Sequence, residues 1–98
     1  MEVNILVVDD EKSIRDTLKG ILEEEGYKVF TAESIKSMKS LVEKNYFHCV
    51  LLDLWLPDGN GLDYIGYLKE NLPGSAIIVI TGHGKKRACR KGCKGGGL

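Results

Sequence analysis

The chain has 98 residues, 14 Lys and Arg against 14 Asp and Glu, and three cysteines, so it holds one domain at most and carries no net charge. No apolar run approaches the roughly 20 residues of a membrane helix, and the start Met1-Glu2-Val3-Asn4 lacks the basic segment of a signal peptide. The odd cysteine count argues against a disulfide framework, and a cytoplasmic protein with reduced thiols is expected.

Residues 3–8, Val3-Asn4-Ile5-Leu6-Val7-Val8, are short, apolar and rich in β-branched residues, which predicts a buried parallel strand ending at Asp9 and Asp10. Ile14, Leu18, Ile21 and Leu22 share the apolar face of a first helix, and Gly26 stops it. Lys28-Val29-Phe30-Thr31-Ala32 is a second strand. Ser34 caps a second helix, whose face is Ile35, Met38, Leu41 and Val42. Residues 48–53 form a third strand ending at Asp53. The run Pro57-Asp58-Gly59-Asn60-Gly61 is a loop by turn chemistry: both glycines allow positive φ, and Pro57 stiffens it. A third helix carries Leu62, Ile65, Leu68 and Leu72 and ends before Pro73. Ala76-Ile77-Ile78-Val79-Ile80 is a fourth strand, followed directly by Thr81. Alternating strands and helices imply an α/β fold with a doubly wound parallel sheet.

In such a sheet the ligand site lies outside the carboxyl ends of the strands. Asp9, Asp10 and Asp53 all arrive at that edge. Crowded carboxylates repel, a cation relieves the repulsion, and oxygen-only ligands suit Mg²⁺, with Mn²⁺ meeting the same chemistry. A hard-metal site beside a reactive aspartate is the expectation. The competing assignment for Asp9 or Asp10 is a plain N-cap of the first helix.

Three segments then carry a family resemblance: Val8-Asp9-Asp10-Glu11, Leu52-Asp53-Leu54-Trp55-Leu56-Pro57-Asp58-Gly59-Asn60-Gly61, and Ile80-Thr81-Gly82-His83-Gly84. In this order and with this spacing they resemble the response-regulator receiver domain of two-component signalling. The wording of Thr81 to Gly84 is similar to receivers of the sigma-54 activator group. The resemblance implies a flavodoxin-like sheet with strand order 2-1-3-4. It implies that Asp53 is the phosphoacceptor and that Asp10 contacts Mg²⁺ directly, Asp9 through water. It further implies that the Trp55 backbone carbonyl is a metal ligand and that the Thr81 hydroxyl contacts the phosphoryl group as a switch. The implied partner is a histidine kinase or a small phosphodonor. The module is then a signalling domain and not an enzyme, beyond self-catalysed phosphoryl transfer to Asp53.

The resemblance covers residues 1–84. The fourth helix, fifth strand and fifth helix of a receiver have no counterpart, nor do the lysine and the aromatic switch residue that the family carries on that strand. A truncated receiver with impaired signalling is therefore expected. Residues 1–84 hold all 14 acids against 8 Lys and Arg, net −6, whereas residues 85–98 hold 6 Lys and Arg and no acid, net +6. This basic, Gly-rich tail reads as disordered. It lacks aromatic residues for stacking on nucleic acid, and Cys89 and Cys93 are too few thiols for zinc. His83 reads as a loop histidine. Left at a sheet edge, Ala76–Ile80 is expected to pair with another chain, giving a homodimer or higher oligomer, with domain swapping as one route. The alternative function is a non-signalling, self-associating remnant or interaction protein that keeps the acidic pocket. The complete acidic triad, Thr81 and the loop favour the phosphoacceptor.

Overall fold

β-branched runs separated by amphipathic segments produce the expected alternation in the computed structural model, which describes residues 2–80. The elements are β1 (Asn4–Val8), α1 (Lys12–Glu24), β2 (Lys28–Ala32), α2 (Ile35–Lys44), β3 (Cys49–Asp53), β4 (Trp55–Leu56), β5 (Gly59–Asn60), a 3₁₀ turn (Gly61–Tyr64), α3 (Ile65–Asn71) and β6 (Ala76–Ile80). β1, β2, β3 and β6 make one parallel sheet in the order β2-β1-β3-β6. This is the flavodoxin-like order expected from the sequence, with β6 as its fourth strand. Among the described residues β6 has β3 as its single neighbour.

The register explains the two faces. Leu6 lies beside Phe30 and Val50, and Val8 lies beside Ala32 and Leu52. The two-residue strand period turns this set to one side. There it meets Ile35, Met38 and Val42 of α2, Phe47, and Leu68 and Leu72 of the α3 segment in the main core. Each fully buried Leu or Phe contributes about 1.5–3 kcal/mol of transfer free energy. The other face holds Ile5, Val7 and Val29, with Leu18 and Leu22 of α1 and Cys49 and Leu51 of β3 only partly covered.

The faces are unequal. α2 buries Ile35, Met38 and Val42, whereas α1 buries no residue fully, and Ile21 is 54% exposed. The apolar stripe predicted for α1 is therefore real only at Ile14, Leu18 and Leu22, which are half-buried. Among the described residues α1 packs mainly against β1 and β2.

Helix ends follow local chemistry. The Ser34 side chain accepts from the N–H of Ser37 at 3.2 Å, as an N-cap should. Gly26 follows α1 with φ +96°, the left-handed conformation that glycine adopts without steric cost.

Two local expectations need correction. The segment after Asp53 is not an open loop: Trp55 pairs with Asn60 and Leu56 with Gly59 in a short antiparallel ladder. The third helix does not begin regularly at Leu62. The Asn60 side chain accepts from the N–H of Leu62 at 2.8 Å, and the Gly61 N–H donates to the carbonyl of Leu54 at 2.8 Å. These two bonds wind the entry into a 3₁₀ turn and point Leu62 outward, 52% exposed.

Candidate metal and phosphoacceptor site

β1 and β3 are parallel neighbours, so their carboxyl ends reach one edge of the sheet. Asp9 continues β1: its N–H donates to the carbonyl of Ala32 at 3.0 Å, adding a rung to the ladder. Asp53 is the last residue of β3 and lies beside Ile80. By the strand period Asp9 is in phase with Ile5 and Val7, and Asp53 with Cys49 and Leu51. Asp10 opens the turn into α1. One carboxylate oxygen from each of Asp9, Asp10 and Asp53 lies within 4.8 Å of the other two. Asp9 and Asp53 are buried, at 0% and 1% exposure, while Asp10 faces solvent.

Backbone amides hold the two buried acids in place. Asp9 Oδ1 accepts from the N–H of Glu11 at 2.9 Å, and Asp53 Oδ1 accepts from the N–H of Trp55 at 3.3 Å. The N-cap position of α1 is Glu11, whose own side chain makes no capping bond. Arg15 Nη1 donates to the backbone carbonyl of Asp9 at 2.8 Å and braces the turn from α1. Arg15 does not stand out in the sequence, because a basic residue six positions after an acid forms no motif.

The segment after Asp53 is tied down on both sides. A Cβ on Gly61 would strike the carbonyl oxygen of Asp53 and stand 3.1 Å from Leu52 Cγ. Gly61 is therefore needed for close approach, and its φ is not positive, whereas Gly59 does have a positive φ of +156°. Asp58 accepts from the N–H of Ile35 at 2.9 Å and of Lys36 at 3.0 Å. These bonds, Ile35's foremost, hold the Asp58 carboxyl below its usual range. Trp55, two residues after Asp53, is 53% exposed. Thr81, His83 and the basic residues 85–98 lie outside the described residues.

This donor set fits a hard divalent cation. Three carboxylates converge, two of them out of water, and burying like charges together is costly without a counter-charge. A parallel α/β sheet with strand order β2-β1-β3-β6 places the chain in the flavodoxin-like fold class. The family model of the response regulator receiver domain matches residues 5–97, and the chain belongs to that family.

Its relatives agree. The alginate biosynthesis transcriptional regulatory protein AlgB of Pseudomonas aeruginosa is 38% identical over 79 residues, 81% of this chain and 18% of AlgB. The photosynthetic apparatus regulatory protein RegA of Rhodobacter capsulatus is 33% identical, over 83% of this chain and 44% of RegA. The chain thus spans less than half the length of these curated relatives. Among solved structures, response regulator TrrA of Thermotoga maritima in complex with Mg²⁺-BeF has a TM-score of 0.76 and 35% identity, over 90% of this chain and 76% of that one. A beryllofluoride-activated NtrC4 receiver domain dimer has a TM-score of 0.73 and 47% identity, over 90% of this chain and 73% of that one. Among the described residues no helix is long and apolar enough to cross a membrane.

Proposed function

We propose that this chain is a phosphoacceptor in two-component signalling and that Asp53 receives the phosphoryl group. The observation that carries this is the convergence of Asp9, Asp10 and Asp53 within 4.8 Å at the carboxyl edge of β1 and β3. Asp53 is buried but sits at a strand end, and its Oδ1 is oriented by the N–H of Trp55. Its carboxylate oxygen attacks phosphorus and forms an acyl phosphate. The bond from phosphorus to the donor's nitrogen or oxygen breaks. The leaving group keeps the electron pair and takes a proton.

Asp9, Asp10, Asp53 and the Trp55 carbonyl would hold Mg²⁺, with Mn²⁺ as a substitute. Bound metal neutralises the crowded carboxylates and the phosphoryl oxygens. Asp10, the exposed member, stands where an ion arrives from solvent. Thr81 follows β6 directly, and we assign its hydroxyl to a phosphoryl oxygen.

The donor is a phosphohistidine of a histidine kinase or a small phosphodonor, the setting is the cytoplasm, and a second copy of the chain is a further partner. The same reading takes residues 1–84 as the receiver portion and residues 85–98 as a basic tail.

Chemical lability tests the assignment. Protein labelled from a small phosphodonor with Mg²⁺ should lose its label to hydroxylamine, as an acyl phosphate does. A hydroxylamine-resistant label would place the phosphoryl group on a hydroxyl side chain and refute Asp53.

A further inference from the structure

We infer that Arg15 is a positioning residue of the metal site: its guanidinium fixes the peptide that joins Asp9 to Asp10 and so sets how tightly their carboxylates hold Mg²⁺. This rests on the metal site of the reading above and names the residue that holds its geometry.

Arg15 is half-buried near the start of α1. Its N–H makes a helical rung, donating to the carbonyl of Glu11 at 3.1 Å. Its side chain runs back past the helix start, where Nη1 donates to the carbonyl of Asp9 at 2.8 Å. One residue thereby ties the start of α1 to the end of β1. The bond falls on the carbonyl of the Asp9–Asp10 peptide. A peptide is planar, so the oxygen of Asp9 and the N–H of Asp10 turn together. Two further bonds hold Asp9 itself: its N–H donates to the carbonyl of Ala32 at 3.0 Å, and its Oδ1 accepts from the N–H of Glu11 at 2.9 Å. Asp10 lies past that rung of the ladder and is exposed in the turn. The peptide that Arg15 grips therefore sets the direction in which Asp10 leaves the buried Asp9.

A guanidinium at this place has two opposed effects on a metal ion. Its charge repels the cation and weakens binding. Its hydrogen bond holds the carboxylates in place before the ion arrives, which strengthens binding. A charge-assisted bond of 2.8 Å is of the strong kind, and losing such a support behind a metal ligand typically costs about 10–100-fold in affinity. Repulsion from one partly solvated charge is smaller. Positioning therefore outweighs repulsion, and the two effects predict opposite signs when Arg15 is removed.

The test uses the full chain and Mg²⁺ alone, with affinity read from Trp55 fluorescence and from the Mg²⁺-dependent rise in melting temperature. Arg15→Ala should bind Mg²⁺ about tenfold more weakly than the parent chain. Arg15→Lys, which keeps the charge but not the planar fork, should fall between the two. Lys12→Ala removes an α1 cation that pairs with Asp16 at 2.6 Å, and should not weaken binding. Equal or tighter binding in Arg15→Ala overturns the inference and leaves the metal site standing. An equal loss in Lys12→Ala assigns the effect to the charge of α1 and overturns it too. Where Arg15→Ala fails to fold without Mg²⁺, Arg15→Lys carries the comparison, and an affinity equal to the parent's overturns the inference. A parent chain that binds no Mg²⁺ overturns the metal site and the inference together.

Discussion

Asp58 Oδ1 accepts the backbone N–H of Ile35 at 2.9 Å, joining the hairpin that follows Asp53 to the first turn of α2 across 23 residues. The second oxygen takes the N–H of Lys36 at 3.0 Å. Two donors that the helix itself leaves unpaired are thereby satisfied by a carboxylate, which also suits the positive end of the helix.

This arrangement sets a pH dependence. The Asp58 carboxyl is held below its ordinary value of 3.8, chiefly by the Ile35 N–H. A group whose pKa is lower in the folded state than in the unfolded state contributes stability that is present above the unfolded value and lost as pH falls through the folded one. Asp58→Ala should therefore lower the melting temperature at neutral pH. The gap to the parent chain should close as pH drops below about 4. A gap that stays constant down to acid pH would show that the carboxylate charge is not involved.

Two glycines should respond oppositely to alanine. Gly61→Ala drives a methyl group into the Asp53 carbonyl and Leu52. Overpacking of this kind costs about 1–3 kcal/mol, read as a lower urea midpoint, and should also displace Asp53 and slow its labelling. Gly20 lies inside α1, where an added Cβ would meet nothing within 4 Å. Gly20→Ala should stabilise by about 0.5–1 kcal/mol through helix propensity. Equal effects would contradict the close approach at Gly61.

Leu68 is fully buried in the main core, where α3 meets the sheet. Leu68→Ala should cost about 2–5 kcal/mol in equilibrium denaturation. Leu62→Ala, on the 3₁₀ turn that precedes α3 and 52% exposed, should change stability by about 0.5 kcal/mol or less.

Metal binding should stabilise the fold. At about 100 times its dissociation constant, Mg²⁺ adds about 2.7 kcal/mol if it binds only the folded chain. Asp10→Ala removes an exposed ligand without opening the core and should abolish most of that gain in thermal melts. Trp55 is the chain's single tryptophan and lies two residues from Asp53, so its fluorescence should report the same titration. Unchanged Mg²⁺ affinity in Asp10→Ala would remove Asp10 from the metal site.

The strands are legible in the sequence because each is a short β-branched run, and the acidic edge follows from where β1 and β3 end. Other features depend on contacts that a linear pattern does not carry. The β4–β5 ladder is two residues long on each side, too short for any periodicity. The Asp58 bonds to α2 and the Arg15 bond to Asp9 join residues whose spacing has no local signature. Turn chemistry suggests dihedral freedom as the reason for Gly61, whereas the reason in the fold is the Asp53 carbonyl beside it. Ile21 fits the helical period of α1 yet faces outward, because period alone does not tell how much of a face is covered.

The most direct test of the central claim is intact mass after incubation with Mg²⁺ and a small phosphodonor, for this chain and for Asp53→Asn. The account predicts one added phosphoryl group on the parent chain and none on the variant. Equal incorporation in both would contradict it and move the acceptor away from the acidic edge of β1 and β3.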